Sequence, residues 1–371
     1  MIYLDYQATT PLAPEAYEAM LPLLRDQFAN PHSAHRPGRA AAAAVEVARD
    51  RVAAAMGMNG GRLVFTSGAT EALNIAIVGA ARAGRAQGRT KIVTIATEHA
   101  AVRDTILALA EEGFETVLLP VDREGLVDLD TAQAAIDGQT ALVAAMLVNN
   151  EIGVIQPITA LADMAQAQGA LFLCDAVQGF GRIALPQQAD MIALSAHKMH
   201  GPKGIGALWL RDDLTLSPLI HGGGQEGGLR SGTLSPALCA GFGVAAQLLA
   251  SRHAEDATHL EQLWTLARTL FADWTINGSI DARYHGNLNL RREGLDGARL
   301  LSECRTIAFS LGSACASGSG RPSHVLQAMA LSDRQARGSV RIGFGRYTTL
   351  AELEDAARTI NEAAAGRSPS S

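Results

Sequence analysis

The sequence predicts an α/β protein: a mostly parallel sheet of seven strands covered by helices on both faces, followed by a smaller α/β unit. Between about residues 60 and 211, short apolar runs alternate with amphipathic stretches of helical period. The runs are apolar almost throughout, rather than at every second residue, which is the pattern of strands buried on both faces. After a long helical stretch near residues 235–275 the scale changes, and shorter strands and helices follow.

The seven runs, in order, are "RLVFTS", "KIVTIAT", "ETVLLPV", "ALVAAMLV", "ALFLCDAV", "MIALSAH" and "GALWLR". Thr70 to Ala83 and Ala101 to Glu112 read as helices between the earlier ones. The last three are closely spaced and leave room for an antiparallel member. A Gly-rich segment, "HGGGQEGGLRSGT" at 221–233, leads into the long helical stretch from Ser235 to Thr275, in which Arg252 to Glu255 read as a polar break. Beyond it come "NLNLR", a helix over 296–304, "IAFSLGS", a helix over 323–330, "SVRIGFG" and a closing helix from Thr349. The expected division is a large domain over 15–250 and a small one over 251–371, the latter joined by the N-terminal segment 1–14.

Composition narrows the function classes. The chain has 371 residues, enough for a large core, with 48% hydrophobic and 18% charged residues. A formal net charge of −6 supplies no basic field for a nucleic-acid backbone. The N-terminal stretch "MIYLDYQATTP" lacks the basic and apolar regions of a secretory signal, and no apolar run approaches membrane-spanning length. Cys174, Cys239, Cys304 and Cys315 contain no CxxC pair, so neither a disulfide framework nor a zinc ribbon is expected, and a reducing cytoplasm is the expected location.

Lysine usage points to chemistry. Lys91, Lys198 and Lys203 are the three lysines among 31 lysine and arginine residues, and two of them fall in "LSAHKMHGPKG" at 194–204. Arginine replaces lysine as a solvated charge but cannot form an imine. In open α/β sheets ligands sit beyond the carboxyl ends of the strands. Those ends carry Ser67-Gly68-Ala69-Thr70 running into a helix, Glu98 and His99, Asn149 and Asn150, Asp175 and Gln178, then Ser195, His197 and Lys198. Singly, each has an ordinary structural explanation as a cap, a turn or a buried polar group. Together, a lysine, a carboxylate and a helix N-terminus are what pyridoxal phosphate requires: an imine-forming amine, a partner for the ring nitrogen and an anion cradle.

These residues resemble the cysteine desulfurases of the NifS/IscS kind, within the fold-type-I pyridoxal-phosphate enzymes. Ten blocks carry the resemblance: "YLDYQATTP", "ANPHSAHRPGR", "TSGATEALNIAI", "TEHAAVRD", "VNNEIGVIQPI", "CDAVQGFGRI", "SAHKMHGPKGIGAL", "GGGQEGGLRSGT", "SLGSACASG" and "VRIGFGRYTT". The resemblance implies a homodimer that binds pyridoxal phosphate through Lys198, with Asp175 on the ring nitrogen, Gln178 on the ring oxygen and His99 stacked on the ring. It assigns the phosphate to Ala69, Thr70, Ser195 and His197, joined by Thr233 from the second subunit. Asn150 and Arg341 are implied to meet the substrate, Arg341 gripping its carboxylate. Lys203 reads as structural. Two departures stand out: Glu226-Gly227-Gly228 where the family commonly has "ERG", and Leu311 where it has serine.

Cys315 selects the reaction. It lies in the small-residue stretch "GSACASGSG", whereas Cys174, Cys239 and Cys304 fall in apolar strand or helix patterns. The implied activity converts L-cysteine to L-alanine and leaves a persulfide on Cys315, with His99 assisting as a cation or proton acceptor. The sulfur then passes to an acceptor protein for iron–sulfur cluster assembly or for cofactor or nucleic-acid thiolation. The rivals are a selenocysteine lyase or aminotransferase of the same fold, which has no need of Cys315, and a catalytically idle scaffold.

Overall fold

The computed structural model describes residues 1–311 and 323–366. A two-residue strand, β1 (Ile2–Tyr3), and helices α1 (Pro14–Arg25) and α2 (Arg36–Met56) precede the large sheet. Its strands are β2 (Arg62–Thr66), β3 (Lys91–Ile95), β4 (Glu115–Leu119), β5 (Thr140–Met146), β6 (Leu171–Asp175), β7 (Met191–Ser195) and β8 (Gly206–Leu210), which are the seven apolar runs. Helices α3 (Ala69–Arg85), α4 (Ala100–Glu111), α5 (Leu129–Ala135) and α6 (Ile158–Ala167) connect the earlier strands. The spatial order is β2-β8-β7-β6-β5-β3-β4. Every pairing is parallel except those of β8, which is antiparallel to both β2 and β7. A connection too short for a crossover helix returns β8 beside β7 in the opposite sense.

Alternation along each strand divides the core in two. Phe65, Val93, Val143, Phe172, Ile192 and Trp209 pack with residues of α2, α6 and the helix that follows the Gly-rich segment. Their strand neighbours Val64, Ile92, Leu142, Leu173, Met191 and Leu208 pack with α3 and α4. Both faces are dry, so the strands carry no polar alternation.

Helix α7 (Pro236–Leu270) is continuous, so Arg252 to Glu255 do not break it. The polar residues lie where the helix crosses from one core to another. They support it by i,i+3 and i,i+4 ion pairs, Arg252 with Glu255 at 2.8 Å and with Asp256 at 3.6 Å. Phe242, Ala245 and Leu249 belong to the large core, whereas Leu263, Trp264 and Ala267 belong to a third core. That third core lies within the smaller unit, made of β9 (Thr275–Ile276), β10 (Asn287–Arg291), α8 (Gly297–Glu303), β11 (Ile307–Ala308), β12 (Ser310–Leu311), α9 (His324–Ala328), α10 (Asp333–Arg337), β13 (Ser339–Gly343) and α11 (Leu350–Ala364), of which α9 and α10 pack instead on Ile152 and Val154 in a fourth cluster. Four of its strands form an antiparallel sheet in the order β12-β13-β10-β9. β1 pairs in parallel with β11, and Leu4 is buried in the same core. We propose the change of partner within α7 as the division between the two units.

Candidate active site

A cavity of about 400 Å³ opens at the carboxyl ends of the large sheet's strands. Its walls include Ser67 to Thr70 after β2, His99 after β3, Asn150 after β5, Asp175 and Gln178 at and after β6, and Ser195, His197 and Lys198 at and after β7. Strand ends separated by more than 100 residues of sequence thus deliver their side chains to one crevice, where the parallel topology leaves space between the loops.

Local sequence fixes each member. Gly68 precedes α3, and no side chain caps that helix, so its first turn offers backbone N–H groups to an anion at Ala69 and Thr70. Gly206 lets the β2–α3 turn lie directly on β8, because a Cβ there would stand 2.7 Å from the Gly68 backbone. His99 caps α4, its Nδ1 accepting from the Ala101 amide at 3.1 Å. With Nδ1 acting as acceptor, the ring proton is carried on Nε2. Asn149 is wholly buried in a turn, accepting from Glu151 and Ile152, while its neighbour Asn150 lines the cavity. A single 3-10 turn over Ala196–Lys198 follows β7 and brings Lys198 to the cavity wall.

Asp175 is buried, and Oδ1 accepts from the Val177 amide at 3.0 Å. Burial raises its pKa above the usual carboxylate value, opposed by the Val177 hydrogen bond and by the charges of His99 and Lys198. Lys198 Nζ donates to the carbonyls of Gln7 at 2.5 Å and Ala8 at 2.8 Å. Burial lowers its pKa to about 8, helped by Arg341 and Arg182. Burial also lowers His197 to about 4, so its ring is neutral near pH 7, with Nδ1 3.1 Å from the Thr9 hydroxyl.

The N-terminal segment is the part of the site that strand-end reasoning missed. The Gln7 carbonyl that accepts from Lys198 also accepts from the Gln178 side-chain amide at 2.9 Å, and the Thr10 hydroxyl donates to the His197 carbonyl. The block "YLDYQATTP" was visible, but backbone carbonyls leave no residue-type signal. Arg182 was missed similarly: its guanidinium bonds the Lys198 carbonyl at 2.6 Å and the Gln178 side chain at 3.2 Å. Glu98 lies wholly buried, with Oε1 accepting from the Met146 amide at 2.7 Å and Oε2 without a partner among the described residues. Burial and the nearby Asp175 raise its pKa well above the ordinary value.

Arg341 extends from β13 and does not line the cavity, yet Nη1 donates to the Asn150 carbonyl at 3.0 Å and Nη2 pairs with Asp5 at 2.8 Å. Thr233 is exposed and stands off the cavity of its own chain. Lys203 lines the cavity from an exposed position, and Lys91 sits elsewhere, paired with Asp137 at 2.6 Å. Cys315 lies outside the described residues. On either side of it, Ser310 Oγ donates to Asp5, Ser323 Oγ to Glu151, and the His324 ring bonds the Glu98 carbonyl at 2.8 Å. Cys174, Cys239 and Cys304 are buried free thiols, and burial raises the pKa of each.

The Gly-rich segment is tied down beside the cavity. Glu226, almost fully buried, takes a bidentate pair from Arg49 at 2.8 Å and the Phe65 amide at 2.6 Å, and Arg230 pairs with Glu71 at 2.7 Å. Gly227 sits in the left-handed region at φ 64°. Leu311 pairs with Val340 in the small antiparallel sheet and packs, half-buried, against the third core.

A seven-stranded sheet of this topology with these residues at its carboxyl edge is that of a pyridoxal-phosphate enzyme, and the residue set fits the cofactor: an amine of lowered basicity, a buried carboxylate and an uncapped helix N-terminus share one space. The chain belongs to the aminotransferase class-V family, whose model matches residues 2–355, and within it to the cysteine desulfurases. It is 42% identical to a cysteine desulfurase IscS of Rickettsia akari (strain Hartford) over 369 residues, covering 97% of this chain and 90% of that one. A solved NifS-like protein superposes with a TM-score of 0.92 at 32% identity, covering 98% of this chain and 99% of the other. A second solved structure, SspA in complex with cysteine, has a TM-score of 0.83 at 36% identity, covering 94% and 100%.

Proposed function

We propose that this chain converts L-cysteine to L-alanine and carries the released sulfur as a persulfide on Cys315. The observation that carries this reading is that Lys198, with an amine pKa of about 8, shares a cavity with the buried Asp175 beneath the uncapped start of α3. Asp175 would pair with the ring nitrogen and Gln178 with the ring oxygen. Ala69, Thr70, Ser195 and His197 would hold the phosphate, with Thr233 supplied by the second subunit of a homodimer. The exposure of Thr233, off its own chain's cavity, favours that last assignment. Bound there, pyridoxal phosphate supplies an electron sink for bonds to the substrate Cα.

Arg341, held by Asn150, orients the substrate carboxylate. His99, with its proton on Nε2, acts as a donor toward the substrate rather than as a proton acceptor. The thiolate of Cys315 attacks the substrate sulfur. The new S–S bond forms as the C–S bond breaks, the electron pair left on carbon takes up a proton, and alanine leaves. Cys315 is four residues from Leu311, a span of at most about 14 Å. Ser310, beside Leu311, pairs in register with Arg341. The persulfide is then passed to an acceptor protein. Among the described residues no helix is long and apolar enough to cross a membrane, and the buried free thiols suit a reducing compartment.

Incubation with L-cysteine and a reductant should yield alanine and sulfide in equal amounts. Lys198→Ala should abolish both and remove the cofactor's visible absorbance, whereas Lys203→Arg should preserve both. Alanine production by Lys198→Ala at the parent rate would refute the assignment.

A further inference from the structure

Arg341 is already partly committed before any substrate arrives. Its Nη2 pairs with Asp5 Oδ1 at 2.8 Å, with the two side chains 10% and 19% exposed. Asp5 Oδ1 also accepts from Ser310 Oγ at 2.8 Å, so the carboxylate is fixed from two sides. Arg341 Nη1 is held by the Asn150 carbonyl at 3.0 Å, and Nε is buried without a partner among the described residues. One proton on each terminal nitrogen is left over from these contacts, the pair of donors that a ligand carboxylate would take. The guanidinium's charge, by contrast, is balanced by Asp5.

The cavity holds little positive charge for a second acid. Glu71 is paired with Arg230, Lys198 is committed to the cofactor, and Lys203 is solvent-exposed. We propose that Asp5 is a specificity-determining counter-ion of Arg341, which admits an amino acid bearing one carboxylate and discriminates against one bearing a second acidic group. This deepens the desulfurase reading, because it rests on Arg341 holding the substrate carboxylate. It also gives a role to the block "YLDYQATTP", which supplies Asp5 from a position far from Arg341 in sequence.

The test uses the holoenzyme and two non-sulfur ligands, L-alanine with one carboxylate and L-aspartate with two, with dissociation constants read from the cofactor's absorbance. Asp5→Asn keeps an oxygen acceptor for Arg341 and Ser310 while removing the charge. It should shift the ratio of the two constants toward L-aspartate by about tenfold, the effect of one unit charge at this range in a partly buried site. Asp5→Glu should keep the parent ratio within about twofold. Should Asp5→Asn fail to fold, Asp5→Ser carries the same prediction. A merely structural role for Asp5 would weaken both ligands together, and an unchanged ratio overturns the proposal while leaving the desulfurase reading intact. Arg341→Ala separates the two ideas: loss of L-alanine binding supports the carboxylate assignment beneath the proposal, and binding at parent affinity overturns both.

Discussion

At Lys198 the catalytic need and the physical surroundings coincide. An imine-forming amine must lose its proton near neutral pH, and burial beside Arg341 and Arg182 lowers this one to about 8. The neutral fraction rises as pH rises through that value, so cofactor uptake by the apo-protein should accelerate with pH and level off above about 8. Stopped-flow absorbance checks this; a rate that keeps rising toward the ordinary lysine value of about 10.4 would contradict the lowered basicity. Asp175→Asn should retain bound cofactor yet lose activity on the order of 100-fold, because a neutral amide cannot favour a protonated ring nitrogen. Turnover at the parent level would show that the ring nitrogen needs no such partner. Lys198, Asp175, His99 and Asn150 were legible because each follows an apolar run. Asp5 and Arg182 were not, because their partners are a side chain and a backbone carbonyl met only after folding.

The strands were legible as elements because burial on both faces leaves the runs mostly apolar, and close spacing left room for an antiparallel member among the last three, which the structure shows to be β8. α7 was read less well: Arg252, Glu255 and Asp256 resemble a break when counted for polarity, but three and four residues apart they are ion pairs on one helix face. Small residues decide how closely α7 approaches α2. A Cβ on Gly243 would lie 2.8 Å from the Ala48 Cα, so backbone rather than a movable side chain resists it. Gly243→Leu should cost at least about 1–3 kcal/mol by overpacking, lowering the melting temperature by several degrees. An unchanged melting temperature would show that the two helices can part freely.

Across the whole molecule, the N-terminal segment and the middle of α7 meet beside the lysine-bearing turn, where Tyr6 and His200 share a pocket with His253 and Asp256. His200 sits there at φ 66°, buried, bonded through Nδ1 to the Pro11 carbonyl, with Tyr6 and Tyr347 edge-on to its ring. Burial, then Arg346, lowers its pKa to about 3. The folded value lies below the unfolded value of about 6.5. Its contribution is therefore complete above that pH and is lost as pH falls through the window toward 3, at up to about 1.4 kcal/mol per pH unit. His200→Asn, which tolerates the left-handed backbone, should flatten the acid limb of the stability curve by that slope in denaturant titrations; an unaltered slope would mean His200 titrates normally. Sulfur transfer to Cys315 is read out by mass spectrometry after brief incubation with L-cysteine. The peptide containing Cys315 should gain one sulfur atom, and Cys315→Ser should make no alanine although L-cysteine still shifts the cofactor spectrum. Sulfur on Cys174, Cys239 or Cys304 instead, or alanine formation by Cys315→Ser at the parent rate, would contradict the claim and favour a lyase or aminotransferase.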